Sequence, residues 1–160
     1  CEQQIQKDNN SADSYIQTIY LTHDILLEEY PTPQEEQEAQ RLLIHTFSDG
    51  QQRHWDNAEY LFFIGSLVPI AEWLFGLKES SKPLEKRIGY EMVKKATLLD
   101  PHNLLYRWSY QDYNRDTQSK QLAQDILSDQ VVVRATRESI CSIFLVLPAL
   151  GWMIDLQNLF

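Results

Sequence analysis

Glycine and proline are scarce in this chain, five and six among 160 residues. A fold of many short strands needs turn residues at nearly every connection, so the scarcity disfavours a turn-rich all-β architecture. Cysteine is scarcer still: Cys1 and Cys141 stand alone, too few for a disulfide framework, and no Cys/His spacing matches a zinc motif, so no metal or cofactor is expected. Bases are outnumbered by acids, 14 to 23, and are scattered. Phosphate binding needs clustered cations, which argues against a nucleic-acid partner. No apolar run is long enough to span a bilayer. Residues 61–76 are interrupted by Pro69 and Glu72, and the uncharged stretch 140–154 contains Pro148 and Gly151, whereas a span needs about 18 to 20 apolar residues. No HExxH, GxSxG or glycine-rich phosphate loop occurs, so the expectation is a chain that is not an enzyme.

What the chain does have is an uneven charge distribution. The first 60 residues hold twelve acids and three bases, net −9, while residues 61–160 are neutral with eleven of each. A one-sided acidic surface steers cationic partners, so the asymmetry bears on association rather than on fold.

Apolar residues recur at helical spacing almost throughout. Ile16, Ile19, His23, Leu26 and Leu27 lie on one face of a helix over Asp13–Tyr30 that ends at Pro31. Thr32, Pro33, Glu35 and Glu36 form a helix start, with inner face Ala39, Leu42, Leu43, Thr46 and Phe47 and a stop at Asp49–Gly50,. A third helix from about Trp55 to Phe75, capped near Asp56 and bent at Pro69, is apolar nearly all round and is expected to be the hub of the core, with Trp73 buried against Met92,. A fourth opens at Pro83 with inner face Leu84, Ile88, Met92, Ala96 and Leu99; a fifth covers His102–Tyr113; a sixth carries Leu122, Ile126 and Leu127; and a last one starts near Val131 and kinks at Pro148. The expected fold is therefore all-α, six or seven antiparallel helices in one domain over 13–160, preceded by a flexible polar segment 1–12.

Trp73, Gly89, Val93, Ala96 and Pro101, with weaker echoes at Trp108, Ala123 and Leu127, fall on offsets that resemble the tetratricopeptide repeat over residues 70–135,. The resemblance implies stacked helical hairpins whose concave face binds protein segments. The pattern departs from that family where Gly76–Leu77 and Ser80 stand in place of its Leu-Gly and Tyr positions. Cys1–Glu2 followed by a polar stretch resembles the start of a mature bacterial lipoprotein, with Cys1 as the lipidated residue and lipid anchor; a cloning remnant is the other reading,. Those readings place the protein in the bacterial cytoplasm or, with Cys1 lipidated, on the periplasmic face of the envelope.

Candidate binding residues fall into two groups. Asp24, Glu28, Glu29, Glu35 and Glu36 sit at the ends of the first two helices, on solvated faces where two carboxylates have no apolar pocket to separate their pKa values, which suits association rather than acid/base chemistry,. Tyr106, Trp108, Tyr110 and Tyr113 crowd eight positions beside Arg107 and Arg115; four rings cannot all face one core, so one or two are expected to be exposed interface anchors, unless a wide groove buries them. His45 and His54 with Asp49 and Asp56 bracket an expected loop, the place for a helical enzyme's chemistry if there is one; His23 is expected to be a hydrogen-bonded core histidine. A small acidic helical chain of this kind is similar in character to bacterial immunity proteins, which neutralise basic toxins. The expected function is thus a non-catalytic module binding a basic protein partner, with a tetratricopeptide-like envelope lipoprotein scaffold as the alternative.

Overall fold

In a computed structural model, residues 10–29, 31–78, 81–114 and 118–128 are described. Among them are six α-helices, three short 3-10 turns and no strand, an all-α helical bundle.

The first helix, α1 (Ala12–Glu28), is capped by Ser11, whose hydroxyl accepts from the Ser14 amide at 3.2 Å. Tyr15, Ile16, Ile19, Thr22 and His23 form its buried stripe at steps of three and four,. The next helix, α2 (Pro33–Arg53), starts with a complete capping box: the Thr32 hydroxyl accepts from the Glu35 amide, and the Glu35 carboxylate accepts from the Thr32 amide at 2.9 Å,. It buries Leu43, Thr46, Phe47 and Gly50. Leu42, expected on the inner face, is 47% exposed. Nor does α2 stop at Asp49–Gly50; it continues through Gly50 to Arg53. Gly50 is a packing position, because a Cβ there would lie 2.9 Å from Cζ of Tyr60. The absent side chain admits a ring instead of breaking the helix.

The core is centred on α3 (Ala58–Leu67), capped by Asn57 rather than Asp56, with the Asn57 side chain accepting from the Tyr60 amide at 2.8 Å. Tyr60 to Gly65 and Leu67 are all buried. The expected long bent helix is in fact short. Proline cannot donate to the preceding turn and clashes with it, so at Pro69 the chain tightens into a 3-10 turn (Val68–Ile70), breaks at Ala71, and makes a second 3-10 turn (Glu72–Phe75) closed by Gly76 at φ 70°. Trp73, expected in the core, is 60% exposed, whereas Met92 is fully buried.

After a third 3-10 turn (Leu84–Lys86) comes α4 (Ile88–Leu99), which buries Gly89, Tyr90, Met92, Val93 and Ala96; Leu99, expected to face inward, is 43% exposed. The helices α3 and α4 cross at two glycines: a Cβ on Gly65 would lie 2.8 Å from Cβ of Met92, and one on Gly89 would lie 2.8 Å from the Gly65 carbonyl oxygen. Beyond it, α5 (Leu104–Tyr113) is capped by Asn103, and α6 (Ser119–Ser128) follows. Thus α3 packs between α1 and α4, while α2 pairs with α1, α5 with α4 and α6 with α5. Cys1, the helix expected from Val131 with its Pro148 kink, Arg115 and the side chains of Glu28 and Leu127 lie outside the described residues.

Candidate functional site

The α1–α2 hairpin carries the acidic residues, and the structure sorts them into three kinds. Asp24 is only 9% exposed. It lies on the buried side of α1 next to His23, so the expected surface carboxylate is a correction: Asp24 is withdrawn from the solvent-facing set. Glu35 is solvent-exposed but committed to folding. Its carboxylate accepts from the Thr32 hydroxyl at 2.6 Å as well as from the Thr32 amide, and these bonds hold its pKa below the usual carboxylate value,. Glu29, Glu36 and Glu38 are exposed and make no such cap. Glu29 and Glu36 were expected from the sequence; Glu38, which accepts from Gln34 at 3.5 Å, and Asp13 in the first turn of α1 are further solvent-facing carboxylates of the hairpin.

The aromatic helix faces inward. Tyr106 is buried with its ring centroid 4.7 Å from that of Phe62, and burial pushes its hydroxyl up to about 12. Tyr110 meets the Tyr90 hydroxyl at 3.2 Å, and Tyr90 in turn donates to Asn114 at 3.1 Å. Tyr113 donates to the Gly65 carbonyl at 3.1 Å, and burial raises it to about 12. Spacing of four and three residues puts these tyrosines on one face of α5, against α3 and α4. Trp108 is half-buried. The expected exposed rings are therefore absent: none of Tyr106, Trp108, Tyr110 and Tyr113 is an exposed residue, because the groove between α3 and α4 is wide enough to seat three phenols.

The segment from His45 to Asp56 is helix rather than loop up to Arg53, and its groups diverge. His45 is exposed on the outer face of α2. Asp49 accepts a short hydrogen bond from the Tyr15 hydroxyl and another from Arg53 Nε at 2.8 Å; the Tyr15 bond is the main reason its pKa is lowered and that of Tyr15 raised. His54 packs edge-on to Tyr15 at 4.8 Å, and burial lowers its pKa. Asp56 points away to Lys95 at 2.6 Å. Among the described residues no three His, Cys, Asp or Glu side chains are grouped to hold a metal ion, and no helix is long and apolar enough to cross a membrane. The Tyr15–Asp49 bond ties α1 to α2, and the Asp56–Lys95 pair ties the turn before α3 to α4.

His23 is a core residue, 5% exposed, but the hydrogen bond expected for it is missing: Nε2 is buried without a partner among the described residues. Desolvation pushes its pKa down to about 4,.

A feature that periodicity missed is apolar and exposed. Ile70 and Trp73, at 58% and 60% exposure, stand on the two 3-10 turns after α3. The signal was Pro69, which ends the helix and so changes the direction in which every later side chain points. With the geometry in hand, comparison with known proteins is brief: no family model, no curated protein and no solved structure matches this chain.

Proposed function

We propose that this chain is a non-catalytic protein-binding module whose α1–α2 hairpin docks a basic protein partner, and that its role is to neutralise that partner in the manner of a bacterial immunity protein. The observation that carries the reading is the make-up of α2. It commits four of 21 residues to the core, and it presents exposed Glu36 and Glu38 from a segment that holds the whole net charge of the chain. Exposed carboxylates in a net-acidic segment accelerate encounter with a cation-rich surface and disfavour acidic competitors.

The test is direct. The product of the gene neighbouring the coding sequence, if basic, is mixed with this chain and association is followed against salt. Replacing Glu29, Glu36 and Glu38 by Lys should slow association about tenfold or more at low salt and flatten the salt dependence, since steering by charge is screened over about 10 Å at 0.1 M. Glu35 is left untouched because it caps α2. Loss of the partner's toxic activity on complex formation supports neutralisation; binding without inhibition favours a scaffold.

A further inference from the structure

His23 sits where α1 meets the 3-10 turn Glu72–Phe75. It is 5% exposed, its Nε2 is buried without a partner among the described residues, and its ring lies 5.9 Å from that of Phe75, which in turn lies 5.0 Å from the Phe47 ring of α2. These surroundings suit a neutral imidazole. A buried cation without a partner is costly, so a proton enters only where part of this packing gives way. The ionisable groups nearest in the chain are Tyr20 and Asp24 on α1 itself and Glu72 on the turn. On α2, Arg41 and His45 are exposed, and Asp49 and Arg53 act on Tyr15, eight residues before His23. On α3, Glu59 and Tyr60 act on the same far end of α1, beside Asp13 and Tyr15. Asp24 and Glu72 each take part in contacts, yet burial is what sets the imidazole, pushing it down to about 4,.

Of the elements around His23, the turn is the least able to resist. It spans four residues, has no side-chain cap at its start, follows the break at Ala71 and ends at Gly76 with φ 70°. Three bonds hold its backbone: the Leu74 amide donates to the Ala71 carbonyl at 2.9 Å, the Gly76 amide to Trp73 at 3.1 Å and the Leu77 amide to Glu72 at 3.1 Å. The helices beside it are 17 and 21 residues long, and local opening draws on the weaker kind of element. Lifting the turn withdraws Phe75 and lets water reach the imidazole, whereas moving α1 also undoes its packing on α2 and α3. We propose that protonation of His23 releases the turn Glu72–Phe75 from α1 and α2 while the helices stay folded, an acid-sensitive strap that uncovers Leu74 and Phe75. The device stands apart from the partner proposed above. Its sign follows from the folded imidazole being the weaker base: acid has no effect above about pH 6.5, and opening grows as pH falls from there toward about 4. Between pH 7 and pH 5 the open fraction rises about twentyfold.

Native-state hydrogen exchange of the full chain tests the strap. After correction for intrinsic exchange rates, the Leu74, Gly76 and Leu77 amides should lose about twentyfold in protection from pH 7 to pH 5. They should do so through an opening that low urea leaves unchanged, while the buried amides of α3 exchange through a rarer, urea-dependent one. His23→Leu should abolish the acid dependence of the three turn amides, and His23→Gln, polar but without a titrating proton, should do the same. Circular dichroism and urea unfolding check that both variants are folded. Turn protection that does not change with pH in the wild type would overturn the proposal, as would an acid dependence that survives both substitutions. Turn amides that follow those of α3 in both pH and urea response would overturn the strap in favour of global unfolding.

Discussion

The consecutive helices α2 and α3 divide the work of the molecule between them: α3 buries seven of its ten residues and α2 four of its 21. On α3 almost any change meets a neighbour, since its side chains are shared among α1, α4 and the Tyr106 ring of α5. On α2 the buried strip is Leu43, Thr46, Phe47 and Gly50, flanked by half-buried Ala39, Gln40, Asp49 and Gln51, and most of the remaining residues face water. Of the four acids on α2, Glu35 closes the helix start and Asp49 is bonded to Tyr15 and Arg53, while Glu36 and Glu38 face solvent. The comparison also runs within single residue types. Glu35 and Glu36 are adjacent in sequence, yet one closes a capping box and the other makes no cap.

The sharpest break between the two regions should appear in stability. Met92→Ala, which empties the α3–α4 contact beside Gly65, should cost about 2 to 5 kcal/mol in urea unfolding, and Gly65→Ala should also destabilise, because its Cβ would be forced against Met92 and the Gly89 carbonyl,. Next in size is pH. The folded His23 imidazole has its pKa depressed from 6.5 to about 4, so the unfolded chain binds the proton more readily. Stability from this group is full above pH 6.5, falls as pH drops from there toward about 4, and levels off below; the loss is about 3 kcal/mol at most. His23→Leu should flatten that part of the pH–stability profile, and an unchanged profile would mean the imidazole is not held neutral.

Smaller effects sharpen the comparison at the helix starts. Asn57→Ala should lower global stability by about 1 kcal/mol, because it uncaps the core helix. Thr32→Ala should raise amide exchange in the first turn of α2, while the buried amides of α3 keep their protection. Smallest of all is Trp73→Ala. Had this ring been in the core, the loss would be about 3 to 5 kcal/mol; at 60% exposure it should be within about 0.5 kcal/mol,.

Much of this fold is legible in the sequence, and for identifiable reasons. The series through Ile16, Ile19 and His23, and the Thr32-Pro33 start with Glu35 three residues on from Thr32, are local signals that tertiary structure reinforces. Errors arose where the decisive neighbour is distant. Gly50 reads as a helix stop until Tyr60 is seen to occupy the space above it. Asp24 reads as a surface charge because one helix alone does not reveal which flank another will cover. The aromatics of α5 suggest exposed rings because their hydroxyls find partners, Gly65 and Tyr90, only in three dimensions. Trp73 reads as core as long as the helix is taken to survive Pro69. Of the acidic residues singled out in the sequence, burial removes Asp24 from the solvent-facing set and capping commits Glu35, while Glu29 and Glu36 are exposed.

The central claim is that location of the carboxylates, and not total charge, makes α1–α2 a binding surface. Two triple variants of equal net charge test it: Glu29, Glu36 and Glu38→Lys on the hairpin, and Glu85, Glu91 and Asp125→Lys at exposed positions elsewhere. The association rate of an amphipathic helical peptide of Lys and Leu at low salt is the measurement. A large fall for the hairpin variant and a small one for the control is the predicted result, and equal falls for the two would contradict the account.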